Sequence, residues 1–227
     1  MIILYKENIP SQRSTSLRKT DSKELTINIP QKQLQDIFLI NSSKFKTKEI
    51  LTSDLTIKPH SYYMVINKSN NLLTIQYNQD LSNHQVIYDP YKYETSQKQL
   101  FKPDWFKERY DIPEGYIDTL PKWYSFKFTY SDFNLIFIRP EFGLSIQTHQ
   151  YRNESWEVLE GNPIIINGNK VYYFVETGAI YQNPINTYHS VINPNKEKTK
   201  FVLIKERWSG SFDEYDINRV FNPNHYE

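Results

Sequence analysis

The sequence predicts a mostly β protein whose C-terminal half is a barrel of short strands, preceded by a smaller α+β or β-rich N-terminal region. Three observations favour this fold class. Aromatic residues make up 15% of the 227 residues, and Tyr and Phe suit strands. None of the six glycines precedes Gly115, and five fall between Gly143 and Gly210, where tight turns would need them. From Ser125 onward, apolar and polar residues alternate with the period of a strand.

The N-terminal region of this prediction is residues 1–120. Residues 1–24 are polar and are expected to form a partly ordered arm. Residues 31–40 could form a helix with one apolar face, and residues 54–78 resemble a β-hairpin. Residues 89–123 carry four prolines among aromatic residues, which predicts an irregular linker containing one or two helical turns.

The C-terminal domain of the prediction is residues 121–227. Short strands are expected at 126–130, 134–139, 144–151, 156–159, 164–166, 171–175, 180–182, 189–192 and 201–205. Asn167-Gly168 is the strongest short-turn signal in the chain, because both residues accept the positive φ that a tight hairpin requires. The even spacing of strands and turns therefore predicts one compact β domain.

Composition excludes several classes of function. The net charge is +1 and the basic residues are spread along the chain, so no basic stripe indicates nucleic-acid binding. The chain contains no cysteine, which excludes a disulfide framework and thiol chemistry. No apolar run approaches the ~20 residues of a membrane span. These features predict a cytoplasmic protein that binds neither nucleic acid nor membrane.

A group of potential metal ligands lies in the C-terminal half. Gln147, His149 and Tyr151 alternate along one predicted strand and would share one face. Glu154 follows shortly afterwards, and His189 lies in a later strand. A set of imidazole nitrogens, a carboxylate and an amide oxygen suits Zn²⁺, Mn²⁺, Fe²⁺, Co²⁺ or Ni²⁺. The residues alone do not choose among these ions.

Three sequence patterns extend this group. The first contains Pro140, Leu144-Ser145-Ile146-Gln147, His149, Tyr151-Arg152, Glu154, Trp156 and Gly161. The second contains Gly178, Pro184, Asn186, His189 and Asn193. The third is Asp213-Glu-Tyr-Asp216-Ile217-Asn-Arg219, followed by Tyr226. From about Pro121 to Tyr226, these patterns resemble the C-terminal cupin domain of type II mannose-6-phosphate isomerases.

The resemblance implies a cupin barrel, which is a double-stranded β-helix or jelly roll, in residues 121–227. It also implies a divalent metal, with Zn²⁺ the first candidate, held by Gln147, His149, Glu154 and His189. The family has a second histidine where this chain has Tyr151, and a phenol with a pKa of ~10 is a poorer ligand. A metal site in this chain would therefore depend on Gln147 as the replacement ligand.

The activity implied by the resemblance is interconversion of mannose 6-phosphate and fructose 6-phosphate. Catalytic roles are expected for Glu154, His189 and Arg219, although the first two are also expected metal ligands. The residues expected to contact the sugar phosphate are Tyr151, Arg139, Arg152 and Lys127, because Arg and Lys bind phosphate.

Other functions remain open from the sequence. One alternative is a non-catalytic or metal-free cupin that binds a sugar or serves as a structural module. Another is a different cupin sugar enzyme, such as a nucleotide-sugar epimerase, because one barrel hosts many chemistries. The expected partner is a small sugar phosphate, and a homodimer is plausible by analogy with other cupins.

Overall fold

The structure is a computed structural model that describes residues 5–47, 50, 52–100, 114–211, 213 and 215–224. The chain divides into two compact units. The N-terminal unit is Met1–Pro90 with Asn169–Val171, and the cupin-like C-terminal unit is Tyr91–Gly168 with Tyr172–Glu227. The sequence-based boundary at residue 120 stays a prediction. The helical turns expected within the linker lie outside the described residues.

The described residues form twenty strands and one 3₁₀ helix, Gln31–Asp36. The first nine strands are β1 (Tyr5–Ile9), β2 (Leu17–Lys19), β3 (Leu25–Asn28), β4 (Ile37–Asn41), β5 (Lys44–Lys46), β6 (Asp54–Ile57), β7 (Tyr62–Asn67), β8 (Leu73–Tyr77) and β9 (Gln85–Tyr88). The others are β10 (Asp118–Pro121), β11 (Ser125–Thr129), β12 (Asn134–Ile138), β13 (Ile146–Thr148), β14 (Arg152–Glu160), β15 (Ile164–Asn167), β16 (Lys170–Tyr172), β17 (Ile180–Asn183), β18 (His189–Ile192), β19 (Val202–Gly210) and β20 (Asn218–Phe221).

The sequence predicted either an α+β or a β-rich N-terminal region, and the structure confirms the β-rich alternative. The two antiparallel sheets of the N-terminal unit have the strand orders β1-β8-β3-β6 and β5-β4-β7-β2-β9. Leu25, Ile27 and Ile75 contribute to a core that is closed to solvent. The expected polar arm is wrong for the described residues, because β1 and β2 belong to the two sheets and β1 ends in the buried Ile9.

Two local expectations for this unit are also wrong. The segment expected to be a helix is a short 3₁₀ turn followed by β4, in which Ile37 to Ile40 are all buried. Four consecutive buried residues suit a strand covered on both faces, whereas a surface helix has one apolar stripe. The expected hairpin at residues 54–78 contains three strands, and β6, β7 and β8 pair with other strands instead of with each other.

The C-terminal unit is the β barrel that the sequence predicted. Its sheets have the orders β10-β11-β12-β19-β14-β17 and β20-β13-β18-β15. Trp156, Val158, Val191 and Ile204 pack in the core between them, and a second cluster, which includes Phe126 and Phe128, is mostly aromatic. Buried residues alternate with less buried ones along β14, as expected for a strand with one face turned inward.

The two units repeat one strand topology. The order β1-β8-β3-β6 corresponds to β12-β19-β14-β17, and β9-β2-β7-β4 corresponds to β20-β13-β18-β15. The pairing register agrees as well: Arg18 pairs with Tyr63 where Gln147 pairs with His189. A register shift also recurs at the same place, after Leu17 where β2 pairs with β9 and after Ile146 where β13 pairs with β20. The N-terminal unit is therefore a second barrel of the same design.

An asparagine performs the same structural task in both barrels. In the N-terminal unit, Asn67 Nδ2 donates to the carbonyl oxygens of Ile9 at 3.0 Å and Asn71 at 2.7 Å. In the C-terminal unit, Asn193 Nδ2 donates to Ile138 O at 3.0 Å and to Lys200 O at 2.9 Å. The asparagine of the second sequence pattern thus satisfies backbone carbonyls that strand pairing leaves open.

We find no helix within the described ranges whose length and apolar character would let it cross a bilayer.

Candidate functional site

Three potential metal ligands meet inside the C-terminal barrel. His149 follows β13, Glu154 lies on β14 and His189 lies on β18, and all three side chains are at most 2% exposed. Their ligand atoms lie within 4.8 Å of one another. Glu154 Oε1 is 3.1 Å from His149 Nε2, and Glu154 Oε2 is 3.5 Å from His189 Nε2. The barrel therefore gathers residues that are far apart in sequence into one cluster.

The hydrogen bonds of both imidazoles fix which nitrogen faces the cluster. His149 Nδ1 bonds to the backbone carbonyl of Asp216, and His189 Nδ1 bonds to that of Thr187 at 2.8 Å. A carbonyl oxygen can only accept, so each Nδ1 must carry the proton. In its neutral form, each ring directs the Nε2 lone pair inward, which is the orientation that a metal-binding histidine takes.

His189 provides the observation that tests the fit to a metal. Its Nε2 is buried and has no hydrogen-bond partner among the described residues. A buried polar atom without a partner is costly, and here it faces a carboxylate oxygen that is also an acceptor. A divalent cation between these atoms would satisfy both, and two imidazoles with a carboxylate are a ligand set used by transition metals. The residues present therefore fit a metal ion.

Gln147 directs the NH₂ group of its side-chain amide toward the cluster. Gln147 Nε2 is 3.3 Å from His149 Nε2, while Gln147 Oε1 accepts a hydrogen bond from Ser145 Oγ at 2.7 Å. An amide nitrogen does not bind a metal, so a ligand role would require the amide to turn over. The sequence placed Gln147 in the correct neighbourhood, and its role as a ligand stays a prediction.

Tyr151 does not share the surface of His149, contrary to the expected strand alternation. Its side chain is 66% exposed. The reason is that β13 ends at Thr148, and the chain bends before β14 begins at Arg152. The carboxylate of Asp216 holds this bend by accepting from the backbone N–H groups of Gln150 at 2.9 Å and Tyr151 at 3.0 Å. The bend interrupts the two-residue period on which the expectation depended.

Arg152 enters the cluster in place of Tyr151. Its guanidinium donates from Nε to Glu154 Oε1 at 2.8 Å and from Nη2 to His149 Nε2 at 3.2 Å. A further bond runs from Nη1 to the carbonyl of Asp213 at 2.6 Å. The side chain was expected to contact phosphate, but it is only 3% exposed and neutralises Glu154 inside the protein.

These neighbours control the charges of the ligands. Burial alone would raise the pKa of Glu154, but His149, His189 and Arg152 outweigh it and lower that pKa to about 2. Burial lowers the pKa of His189 to about 4. At neutral pH, Glu154 is therefore a carboxylate and His189 is a neutral imidazole, which are the forms that bind metals.

Glu206, on β19, is a buried carboxyl group that the sequence analysis did not identify. Glu206 Oε1 accepts from Asn134 Nδ2 at 2.7 Å, and Oε2 accepts from the indole N–H of Trp156 at 3.1 Å. The same N–H is 3.2 Å from Glu154 Oε2. Burial, and then the negative charge of Glu154, raise the pKa of Glu206 to about 7. Strand alternation with the buried Ile204 could have revealed it, because residues two apart share a face.

A cavity of about 660 Å³, counting the part open to solvent, lies beside the cluster. Both carboxyl residues, Glu154 and Glu206, line it. Its basic lining residues are Lys122, Lys127, Arg152 and Arg219. Lys127, an expected phosphate contact, and Arg219, expected to be catalytic, therefore both lie where a ligand could reach them.

Arg139 is not among the residues that line this cavity. Its Nη1 donates to the carbonyl of Trp123 at 2.8 Å, and its guanidinium lies 5.4 Å from the centre of the Phe142 ring. These contacts give the side chain a packing role at the described position. The expected substrate contact of Arg139 has no support from this arrangement.

Comparison with known proteins agrees with the barrel. Residues 113–222 match the family described as mannose-6-phosphate isomerase C-terminal. No curated protein sequence matches the chain. The C-terminal unit is thus a cupin domain that resembles the C-terminal domain of mannose-6-phosphate isomerases.

Several solved structures are similar to the chain at low identity. A candidate sugar phosphate isomerase from Acidithiobacillus ferrooxidans is 23% identical with a TM-score of 0.31, and the match covers 36% of this chain and 50% of that one. A salicylate 1,2-dioxygenase from Pseudaminobacter salicylatoxidans is 7% identical, with a TM-score of 0.31 and coverage of 90% and 70%. An oxalate decarboxylase from Lactobacillus farciminis is 8% identical, with a TM-score of 0.37 and coverage of 95% and 79%.

Proposed function

We propose that the C-terminal unit is a metal-dependent aldose–ketose isomerase acting on a sugar phosphate, with mannose 6-phosphate and fructose 6-phosphate as the first pair to test. The observation that carries this proposal is the buried Nε2 of His189, which faces Glu154 and His149 and has no hydrogen-bond partner in the described part of the chain. The family match over residues 113–222 supports the substrate class.

His149, Glu154 and His189 would hold the metal in this proposal, and Gln147 could join them by turning its amide. When bound, a divalent cation would polarise the sugar oxygens and stabilise the negative charge that develops on them. The Asp216 and Thr187 carbonyls keep both imidazoles oriented for this task. Because these acceptors belong to the backbone, the orientation does not depend on another side chain.

The phosphate group would bind to the basic wall of the cavity. Lys122, Lys127 and Arg219 line the same space as Glu154, so one ligand could reach both. Arginine can bind phosphate through two parallel hydrogen bonds, while lysine acts as a point charge. Arg219 also belongs to the third sequence pattern, which makes it the first phosphate contact to test.

One contact favours a second function, that of a metal-free sugar-binding cupin. Arg152 already supplies a positive charge to Glu154 and a hydrogen bond to His149. If this guanidinium stays in place, the cluster is neutralised without a metal. Sugar-phosphate binding by a protein that takes up no metal would favour this alternative.

The test is metal analysis of the purified full-length protein, followed by a coupled isomerase assay in the presence of each candidate divalent metal. We expect a bound metal and turnover of mannose 6-phosphate, both abolished in His149→Ala and His189→Ala. His60→Asn is a matched control, because His60 is exposed and has a positive φ of 55°, which asparagine tolerates. A protein that binds none of these metals and converts no sugar phosphate would contradict the proposal.

A further inference from the structure

The proposed isomerisation requires a general base that is not itself a metal ligand. A proton must move between neighbouring carbons of the sugar, so a general base has to accept it and then return it. Glu154 and His189 were the expected candidates, but both are committed to the cluster that would hold the metal. A histidine bound to a metal has given up the lone pair that would take the proton, and a metal-bound carboxylate is a weaker base.

Glu206 is a second carboxyl group in the same cavity. It lies on β19, opposite Trp156 of β14 in the pairing register, and it lines the cavity together with Glu154. The indole N–H of Trp156 lies between the two carboxyl groups, 3.2 Å from Glu154 Oε2 and 3.1 Å from Glu206 Oε2. One donor therefore connects a metal-ligand candidate to a group outside the ligand set.

The two carboxyl groups have opposite surroundings. Glu154 accepts a charged hydrogen bond from Arg152 at 2.8 Å, which stabilises its carboxylate. Among the described residues, the donors to Glu206 are both neutral, the amide of Asn134 and the indole of Trp156. A buried carboxyl group with neutral partners retains its proton more readily. Two carboxyl groups separated in this way are a recognised basis for assigning acid and base roles.

The fold does not require a carboxyl group at this position. Tyr77 occupies the corresponding place in the N-terminal barrel, since Tyr77 pairs with Tyr5 and Ile27 where Glu206 pairs with Asn134 and Trp156. Tyr77 is 1% exposed and forms part of the core. Burying an ionisable group instead of an aromatic ring is costly. A function at the cavity would explain why the C-terminal barrel bears this cost.

We propose that Glu206 is the general acid–base residue of the proposed isomerisation, an inference that rests on that function. As a carboxylate, Glu206 takes the proton from C2 of the aldose, and the C–H electron pair becomes the second C1–C2 bond. The carbonyl electron pair moves to O1, which takes the proton of the O2 hydroxyl. Glu206 then returns its proton to C1 while the O2 carbonyl forms, so the atoms and charges balance. Burial, the largest cause of its shift, raises the pKa of Glu206 toward neutrality and would make both forms available.

The test compares Glu206→Gln with wild-type protein in the coupled isomerase assay. Glu157→Gln is the matched control, because Glu157 is a partly exposed glutamate on β14. We expect Glu206→Gln to lower kcat by roughly 100-fold or more, which is the usual effect of removing a general base. KM and metal content should be unchanged, and the control should behave like the wild type.

A second measurement follows the proton itself. Wild-type protein in deuterated water should place deuterium at C1 or C2 of the sugar phosphate, and Glu206→Gln should lose this exchange while it keeps its metal. If Glu206→Gln does not fold, Glu206→Asp is the second variant. It keeps the carboxyl group on a side chain that is shorter by one methylene, so kcat should still fall with little change in KM.

The two proposals can fail separately. Wild-type protein that isomerises no sugar phosphate with any metal would remove the proposed function, and the role of Glu206 with it. An active wild type whose folded, metal-loaded Glu206→Gln variant keeps normal kcat and normal exchange would overturn the role of Glu206 alone. Normal kcat in Glu206→Asp, when Glu206→Gln does not fold, would also overturn it.

Discussion

The two barrels of this chain have the same strand topology but different interiors. Where the C-terminal barrel pairs Glu154 with Asn183, the N-terminal barrel pairs Leu25 with Ile57. Where one has His189, the other has Tyr63. Leu25 cannot bind a metal and phenols are poor ligands, so the metal cluster has no counterpart at these positions. The two barrels therefore share strand topology and pairing register, although the residues at the metal-ligand positions differ.

The N-terminal interior instead forms internal hydrogen bonds. Tyr63 OH lies 2.7 Å from His84 Nδ1, and Tyr77 OH donates to Glu7 Oε2 at 2.6 Å. Burial raises the pKa of both tyrosines, so their hydroxyl groups stay neutral. Asn67, by contrast, retains the bonding pattern of Asn193. The residue that supports the backbone is the same in both barrels, and the residues that could bind a ligand differ.

The largest effect is expected when the C-terminal barrel is made to resemble the N-terminal one. Glu154→Leu copies Leu25 and removes the only carboxylate of the three-ligand cluster. We expect complete loss of bound metal and at least a 100-fold loss of isomerase activity, because the metal supplies the charge stabilisation. Metal analysis and the coupled assay would check this. Retention of stoichiometric metal by a folded Glu154→Leu protein would show that the ligands are assigned incorrectly.

Replacing Arg152 is expected to lower the free energy of unfolding more in metal-free protein than in metal-loaded protein. Replacing it with methionine leaves the buried Glu154 without its cation, and breaking a buried ion pair costs about 3–5 kcal/mol. Metal should recover much of this loss, because it would neutralise Glu154 in place of the guanidinium. The measurement is the free energy of unfolding with a chelator and with metal.

The control for Arg152→Met is Arg207→Met. Arg207 is 52% exposed and lies 4.0 Å from Glu157, and exposed pairs contribute about 0–1 kcal/mol. Equal destabilisation of Arg152→Met with and without metal would mean that the guanidinium and the metal do not serve the same carboxylate.

Glu206 should make the free energy of unfolding of the C-terminal barrel depend on pH. Folding raises the pKa of this carboxyl group from 4.5 to about 7, so the folded protein binds more protons in this interval. Its contribution is fully present below pH 4.5 and is lost as pH rises through about 7. The size is about 3 kcal/mol, at 1.36 kcal/mol per pKa unit.

Glu206→Gln should therefore reduce the decline in stability between pH 5 and pH 8, measured by denaturant unfolding with a chelator present. Glu7→Gln in the N-terminal barrel is the comparison variant, because Glu7 accepts from the neutral Tyr77 but lies at an edge of its sheet. An unchanged pH slope in Glu206→Gln would mean that Glu206 ionises in the folded protein as it does in the unfolded chain.

The smallest effect is expected at Tyr151. Tyr151→His restores the histidine of the related family's first pattern, but this side chain is 66% exposed and lies beyond the bend. We expect stability to change within about ±0.5 kcal/mol, and metal binding to stay at the wild-type level. Tyr151→Phe is the control, and metal titration of both variants is the measurement. Much tighter metal binding by Tyr151→His alone would show that the bend can rearrange to admit the side chain.

The sequence predicted features that depend on local pattern or on spacing. The β structure of residues 54–78 was predicted from local pattern, and the grouping of His149, Glu154 and His189 from their places in the sequence patterns. The partners of those strands were not found, because pairing joins residues that are far apart in the chain. The repeated topology was missed for the same reason, since the barrels share register rather than residue identity.

The site shows the same limit. Two-residue alternation placed Tyr151 beside His149 because nothing in the local pattern signals a bend, which the distant Asp216 holds. Arg152 was expected to contact phosphate, whereas in the structure it bonds to Glu154 and His149, and these contacts depend on the bend. Glu206 was missed because it lies 52 residues from Glu154 in the chain and belongs to none of the three sequence patterns.

Trp156 gives this molecule an optical property. Its indole is 2% exposed and its N–H lies between Glu154 and Glu206, while His189 meets the ring edge-on at 5.0 Å. Charges this close to an indole shift the energy of its excited state, so its emission depends on the electric field of the cluster. Ion uptake, proton transfer and ligand entry all change that field. The protein therefore contains a fluorophore positioned to report each of these events without an added label.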